Sequence, residues 1–232
     1  MASSPGTRWL RRSLGFLILA IASVLSAGGC GRPELSGFLA PYTGFHEISN
    51  INPNLEYVQP GVNWGTYRKV RIAKVLAYVH PMAGYRAVDP DDLKRLVGEF
   101  QADLVDALGR MFKVSLEPGP DVLDVRAAVT RLRPTSLAGN AASWIVPGSM
   151  AVTAGYQAIT NSSLALGEAG VELELADSLT GVRRYGFVAL HLGSSLELEQ
   201  LVRWGIAEKA LKGWADLLEE RLKFLRTHPG SL

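Results

Sequence analysis

Val171-Glu172-Leu173-Glu174-Leu175 alternates apolar and acidic side chains. A period of two places the three apolar residues on one face of a strand and both glutamates on the other. Asp177-Ser178-Leu179-Thr180-Gly181 then turns the chain, and Val182 to Leu192 returns as the hairpin partner. Upstream, Leu123, Val125, Ala127 and Val129 alternate in the same way with Asp124, Arg126 and Thr130. The three segments predict half-buried strands of one sheet. On that reading Arg126, Arg183, Glu172 and Glu174 pair across its solvent face, as surface ion pairs worth about 1 kcal/mol or less each.

Tyr67 to Val79 has apolar residues on both alternating sets, which suits a central strand covered on both faces. Phe112 to Leu116 predicts a short strand, and Glu117-Pro118-Gly119-Pro120-Asp121 a turn. Asp89-Pro90-Asp91-Asp92 opens a helix: Asp89 caps it, Pro90 fits the first helical position, and two acids meet the positive end of the dipole. Leu93, Leu96, Val97, Phe100, Leu104, Leu108 and Met111 follow at helical spacing. A second long helix, from about Leu198 to Leu225, carries Trp204, Ala207, Leu211, Trp214, Leu218, Leu222 and Leu225 on one stripe. Its two tryptophans read as core before they read as a partner-binding face. The expected fold is therefore an α/β (α+β) sandwich. Its sheet is mixed, mostly antiparallel and of about five strands. The helices lie mainly on one face, in the order β-α-β-β-(α)-β-β-α.

From Pro134 through Gly167 no side chain is charged. One reading is a helix from about Ser149 to Thr160 packed on the sheet behind a glycine-rich loop. The other is a contact surface for membrane, partner or a second copy, formed by Trp144, Ile145, Val146, Met150, Tyr156 and Ile159. No apolar run in this stretch reaches the ~20 residues of a membrane-spanning helix.

At the start, Arg8, Arg11 and Arg12 precede an uncharged run from Leu14 to Leu25, too short to span a bilayer but suited to a secretory signal. Ser26-Ala27-Gly28-Gly29-Cys30 follows, and Cys30 is the only cysteine. The pattern resembles the lipobox of bacterial lipoproteins, with Ala27 where leucine is usual. It implies cleavage between Gly29 and Cys30 and acylation (diacylglycerol and palmitate) of Cys30. One acyl chain binds a membrane weakly, and several hold effectively permanently at about 0.8 kcal/mol per buried CH₂. Arg11-Arg12-Ser13-Leu14 also weakly resembles a twin-arginine export signal, though a plain basic leader is the simpler reading. Gly31 follows the cysteine; by resemblance to enterobacterial sorting, where aspartate there retains a lipoprotein at the inner membrane, it points to the periplasmic face of the outer membrane, the inner membrane being the alternative. The chain is thus divided into a cleaved signal (1–29), a lipidated terminus with an irregular, proline-rich arm (30–66), a globular domain (67–226) and a tail (227–232). Phe38, Leu39, Tyr42, Phe45, Ile48, Tyr57 and Trp64 make the arm too apolar for free chain, so part of it is expected on the domain surface; if it detached it would reach at most about 120 Å, letting the domain work at a distance.

Three of the 24 basic residues lie in the first 29 positions and none of the 22 acids does, so the remainder is close to neutral. That balance argues against nucleic acid, which selects a basic stripe. His46, His80, His191 and His228 show no metal-ligand spacing, and no nucleophile elbow, phosphate loop or dinucleotide fingerprint is present. No catalytic residue, metal or cofactor is expected.

Four stretches together resemble the bacterial lipoprotein family called domain of unknown function 3313. They are Ser36-Gly37-Phe38-Leu39-Ala40-Pro41-Tyr42; Gly119-Pro120-Asp121 leading into Arg126-Ala127-Ala128-Val129-Thr130-Arg131-Leu132-Arg133-Pro134; Gly167-Glu168-Ala169; and Ala210-Leu211-Lys212-Gly213-Trp214-Ala215. Arg131 stands where that family pattern has an acid. The resemblance implies no assigned activity. The element order is also similar to periplasmic domains of the curli-secretion lipoprotein and of lipoprotein activators of peptidoglycan synthases, which bind partners or form oligomers; fold alone does not fix function. The expectation is a non-enzymatic, membrane-anchored periplasmic adaptor or scaffold that binds another envelope protein. The alternatives are an oligomeric component of a secretion or transport assembly and, behind both, an envelope hydrolase with a dispersed site.

Overall fold

The structure, a computed structural model, describes residues 35–48, 54–78, 88–135, 166–193 and 202–228. The strands in chain order are β1 (His46–Glu47), β2 (Leu55–Val58), β3 (Lys69–Ile72), β4 (Leu76–Ala77), β5 (Lys113–Val114), β6 (Val122–Thr135), β7 (Leu166–Asp177) and β8 (Arg183–Leu192). Helix α1 (Pro90–Gly109) lies between β4 and β5, and α2 (Gly205–Thr227) follows β8. They form one mixed sheet in the order β1-β2-β8-β7-β6-β3-β5, with β4 also on β6. Pairings β3/β5, β3/β6 and β4/β6 are parallel and the rest antiparallel.

The α+β sandwich stands, and among the described residues its sheet has eight strands rather than about five. The difference has two sources. Tyr67 to Val79, expected as one strand, follows a short 3₁₀ turn at Trp64–Thr66 and, over its described residues 67–78, divides into β3 and β4, both laid parallel along β6 and separated by residues 73–75. Residues 46–47 and 55–58, expected in the irregular arm, extend the sheet beyond β8 as β1 and β2.

The hairpin read from sequence is β7–β8. Asp177 ends β7 by accepting from the amides of Leu179 and Thr180 and the Thr180 hydroxyl, and Gly181 takes the left-handed φ of 69° that closes the turn. Helix α1 starts as expected: Asp89 accepts from the Asp91 amide at 2.8 Å, with Pro90 at the first helical position. Its Leu96, Phe100, Leu104, Ala107 and Leu108 are buried, with Leu93, Val97 and Met111 half-buried. In α2, Ile206, Ala207, Leu211, Trp214, Leu218, Leu222 and Leu225 are buried, and Trp204, just before it, is buried too. Both tryptophans are core, and no partner-binding stripe is left on that line.

The two helices pack against each other and on one face of the sheet, over Val70, Leu123, Val125, Ala127, Val129, Val171, Leu173, Leu175, Tyr185, Phe187 and Ala189. Burying one such aliphatic or aromatic side chain is worth about 1.5–3 kcal/mol, so this layer outweighs the exposed pairs on the helices, Arg95–Glu99 and Lys212–Asp216. The register puts the even-numbered residues of β6 and β7 from Asp124 to Ala128 and from Glu168 to Glu174 on the opposite face.

Two carboxyls give the fold an acid dependence. Arg110 and Lys223 hydrogen-bond Glu219 and hold it down from 4.5 to about 2. Burial raises Asp177, but bonds from Thr180, Tyr67 and Leu179 outweigh it and hold the carboxyl at about 2 instead of 3.8. A carboxyl depressed in the folded state contributes stability above its unfolded pKa and loses it as pH falls toward the folded one. The melting temperature is therefore expected to stay flat down to about pH 5 and then fall steeply toward pH 2. The double variant Glu219→Gln/Asp177→Asn should show a lower but flatter profile in that window; an unchanged slope would assign acid lability to other groups.

Candidate functional site

Buried glutamates mark the places where distant parts of the chain are tied together. Burying a carboxylate needs a counter-charge or several hydrogen bonds. Glu56 receives both nitrogens of the Arg221 fork at 2.8 Å. Glu168 meets Arg131 at 2.9 Å and Arg133 at 3.7 Å, Glu174 meets Arg183 at 2.7 Å and Arg126 at 3.3 Å, and Glu219 meets Arg110 and Lys223. Glu172 is met differently. Its Oε1 accepts from the Ser36 amide at 2.7 Å, and its Oε2 from the Leu39 amide at 3.1 Å and the Tyr42 hydroxyl at 2.6 Å.

Residues 36–45 thus form a strap across the sheet face opposite the helices. The turn begins at Gly37 (φ 93°), whose amide donates to the Tyr42 hydroxyl at 2.8 Å. Burial, and then the bond to Glu172 and its charge, push the Tyr42 phenol up to about 12, so it remains a donor across the physiological range. Arg183 bridges strap and sheet: it holds Glu174 and donates to the carbonyls of Pro41 at 2.9 Å and Leu39 at 2.6 Å. Leu39 is fully buried. Phe45 packs between Tyr42 and Tyr57, ring centroids 5.7 Å from each, and lies over Gly186. A Cβ on Gly186 would stand 2.5 Å from Phe45 Cζ, so that strand glycine makes room for the ring.

The ion pairs expected among Arg126, Arg183 and the glutamates are present for Glu174, but not on a solvent face. Glu172 is 1% exposed and Glu174 7%, because the strap covers them. Alternation alone reports polar against apolar, and a polar face can be buried when a distant segment brings donors to it. Glu172 was legible as a strand residue and missed as a binding one. The available signal lay in the arm, where Phe38, Leu39, Tyr42 and Phe45 are too apolar for free chain.

Between α1 and α2 runs a groove of about 430 Å³ lined by Arg95, Glu99, Asp103, Glu208, Leu211 and Lys212. Burial pushes the Asp103 carboxyl up, partly countered by the charge of Lys212. Arg95 crosses the groove from Glu99 at 2.8 Å to Glu208 at 2.7 Å.

Gly29, Cys30, Trp144, Ile145, Val146, Met150, Tyr156 and Ile159 lie outside the described residues, as does the expected helix near 149–160. His46 is exposed in β1, His191 is in β8, and His228 stacks on Phe224 with centroids 4.5 Å apart; His80 is outside the described residues. Among the described residues no group of three or more His, Cys, Asp or Glu side chains could hold a metal ion. Among them, too, no helix is long and apolar enough to cross a membrane.

A family model described as "Protein of unknown function (DUF3313)" matches residues 34–218. No curated protein matches the chain. Among solved structures it is similar to a PelC dodecamer from Paraburkholderia phytofirmans, with 12% identity, 78% of this chain and 100% of that one covered, and a TM-score of 0.38. A PDZ domain protein from Parabacteroides distasonis aligns at 10% identity over 77% of this chain and 36% of that one, TM-score 0.40. A Xanthomonas campestris protein with the family model DUF330 aligns at 16% identity over 72% and 91%, TM-score 0.37.

Proposed function

This chain belongs to the DUF3313 family, and from that premise we propose that it is a lipid-anchored periplasmic scaffold that binds another envelope component and catalyses no reaction. The observation that carries the reading is the strap. Six residues after the lipobox cysteine, the Ser36 amide is bonded to a buried carboxylate of the central strand β7. A long free tether would separate domain from membrane, whereas this clamp leaves only residues 30–35 between them, at most about 20 Å of chain. Lipid on Cys30 would hold the domain against its bilayer, at the periplasmic face of the outer membrane as Gly31 suggests, and give a partner a fixed platform. The uncharged stretch, through Trp144, Ile145, Val146, Met150, Tyr156 and Ile159, supplies the partner contact.

The test is in-cell crosslinking of the full-length protein with mass spectrometry of what is captured. Crosslinks to one distinct envelope protein, lost when those six residues become serine while the melting temperature holds, are the expected result. Crosslinks only between copies would replace the scaffold with an assembly component. That second reading has an observation of its own: among the described residues the sheet's edges are short strands, β1 on one side and β5 and β4 on the other, which another strand can extend.

A further inference from the structure

The strap face of the sheet has an uneven exposure of charge. In the ion pairs on it among the described residues the acid is the more buried member. The Arg126 side chain is 53% exposed against 9% for the side chain of its partner Glu174, and that of Arg133 32% against 4% for that of Glu168. Arg71 is 38% exposed against 25% for Asp124. Approached from outside, this face therefore presents guanidinium groups, with the compensating carboxylates beneath them.

Apolar side chains stand among those arginines. Leu76 and Tyr78 are exposed large hydrophobics on β4 and just after it, and Leu35 is another just before the strap. Phe38 packs on Tyr78 with ring centroids 5.5 Å apart, and the Arg126 guanidinium lies 5.3 Å from the Phe38 ring centroid. Aromatic rings beside arginines suit the interfacial zone of a bilayer, where rings sit at headgroup depth and each cation near anionic lipid gains about 1 kcal/mol. The opposite, helical side has a different character: its groove is lined by Glu99, Asp103 and Glu208 with Arg95 and Lys212.

We propose that the strap face of the sheet, presenting Arg126, Arg133, Leu35, Phe38, Leu76 and Tyr78, rests on an anionic bilayer and that the helical face points away from it. The inference rests on the lipoprotein reading above, because chain length supplies half the argument. Cys30 can lie no farther than about 20 Å from Ser36, and Ser36 is fixed on this face through Glu172. An anchor that short brings the strap face to the headgroups first. Alone, a few arginines and half-exposed rings would bind weakly; beside a permanent anchor they need only set orientation, which weak contacts can do at high effective concentration.

The experiment uses full-length mature protein purified from membranes and placed in phosphatidylcholine vesicles with or without phosphatidylglycerol. Thr43→Cys, exposed in the strap, and Leu217→Cys, exposed on α2, are labelled separately with a fluorophore and quenched by headgroup-nitroxide lipid. The expected result is several-fold stronger quenching at position 43 than at 217, increased by anionic lipid and reduced by Arg126→Glu/Arg133→Glu. Equal quenching, or stronger quenching at 217, overturns the proposed surface while leaving the anchor intact. Intact mass of the mature protein reads the underlying premise separately: a chain without acyl groups on Cys30 that floats free of vesicles overturns both.

Discussion

Glu172→Leu is expected to release the strap and lower the melting temperature by roughly 10 °C. The wild-type carboxylate accepts from two backbone amides and one phenol, and hydrogen bonds to a charged group contribute about 1.5–3 kcal/mol each. Leucine fills much of the volume and accepts none of them. Holding the strap's backbone in one conformation costs on the order of 1–2 kcal/mol per residue, which the remaining contacts, Leu39 in its pocket, Phe45 over Gly186 and the Arg183 bonds to the carbonyls of Leu39 and Pro41, must then offset. The net loss should be about 3–5 kcal/mol. At roughly 2–4 °C per kcal/mol for a domain of this size, that gives the shift stated. Hydrogen exchange reads the mechanism: the Ser36 and Leu39 amides should lose protection, while those of β6, β7 and β8 keep theirs. Glu172→Gln, which retains one acceptor oxygen, should show about half the effect. Protected strap amides and a melting temperature within about 2 °C of wild type would mean that Glu172 does not hold the strap.

The strap also shows where the sequence was legible and where it was not. The β7–β8 hairpin and α1 could be read because their determinants are local: alternation over five residues, an Asx turn closed by Gly181, a capping Asp89 before Pro90. β2 could not. Its Leu55-Glu56-Tyr57-Val58 alternates, but the register with β8 turns Glu56 toward the helices beside Phe187 and Tyr57 toward Gly186 and Phe45. An acid on the core side reads as a loop signal until its partner is known, and Arg221 stands 165 residues away. The face of Glu172 and Glu174 was misread for the same reason: its cover comes from residues more than 130 positions earlier. β4 is two residues long and owes its place to β6 rather than to its own pattern. Local chemistry fixed the elements of the core, and long-range electrostatics decided what was laid over its edges. The candidate site belongs to the second kind, so only its raw materials, the aromatic arm and the acidic strand, were visible in advance.

Arg221→Ala tests that division at the other buried glutamate and should be comparably severe. Glu56 is 1% exposed, bonded by both arms of Arg221 and by the Tyr185 hydroxyl, whose pKa burial and the charge of Glu56 push well above its usual value. Removing the arginine leaves a carboxylate under the sheet edge without its counter-charge, a change that costs about 3–5 kcal/mol at buried pairs. Arg221 retains some solvent contact, so the lower end applies: about 3 kcal/mol and roughly 6–12 °C. The loss should appear first as exchange in β2, which the pair ties to α2, and next in the strap, because residues 46–47 join the strap to β2. The double variant Glu56→Leu/Arg221→Met removes the charge together with its partner and should recover most of the stability. Recovery would show that the penalty lies in an orphaned charge rather than in a lost attraction. If the double variant melts as low as the single one, the fork itself positions β2, and the strap then depends on an ion pair made by the face that points away from it.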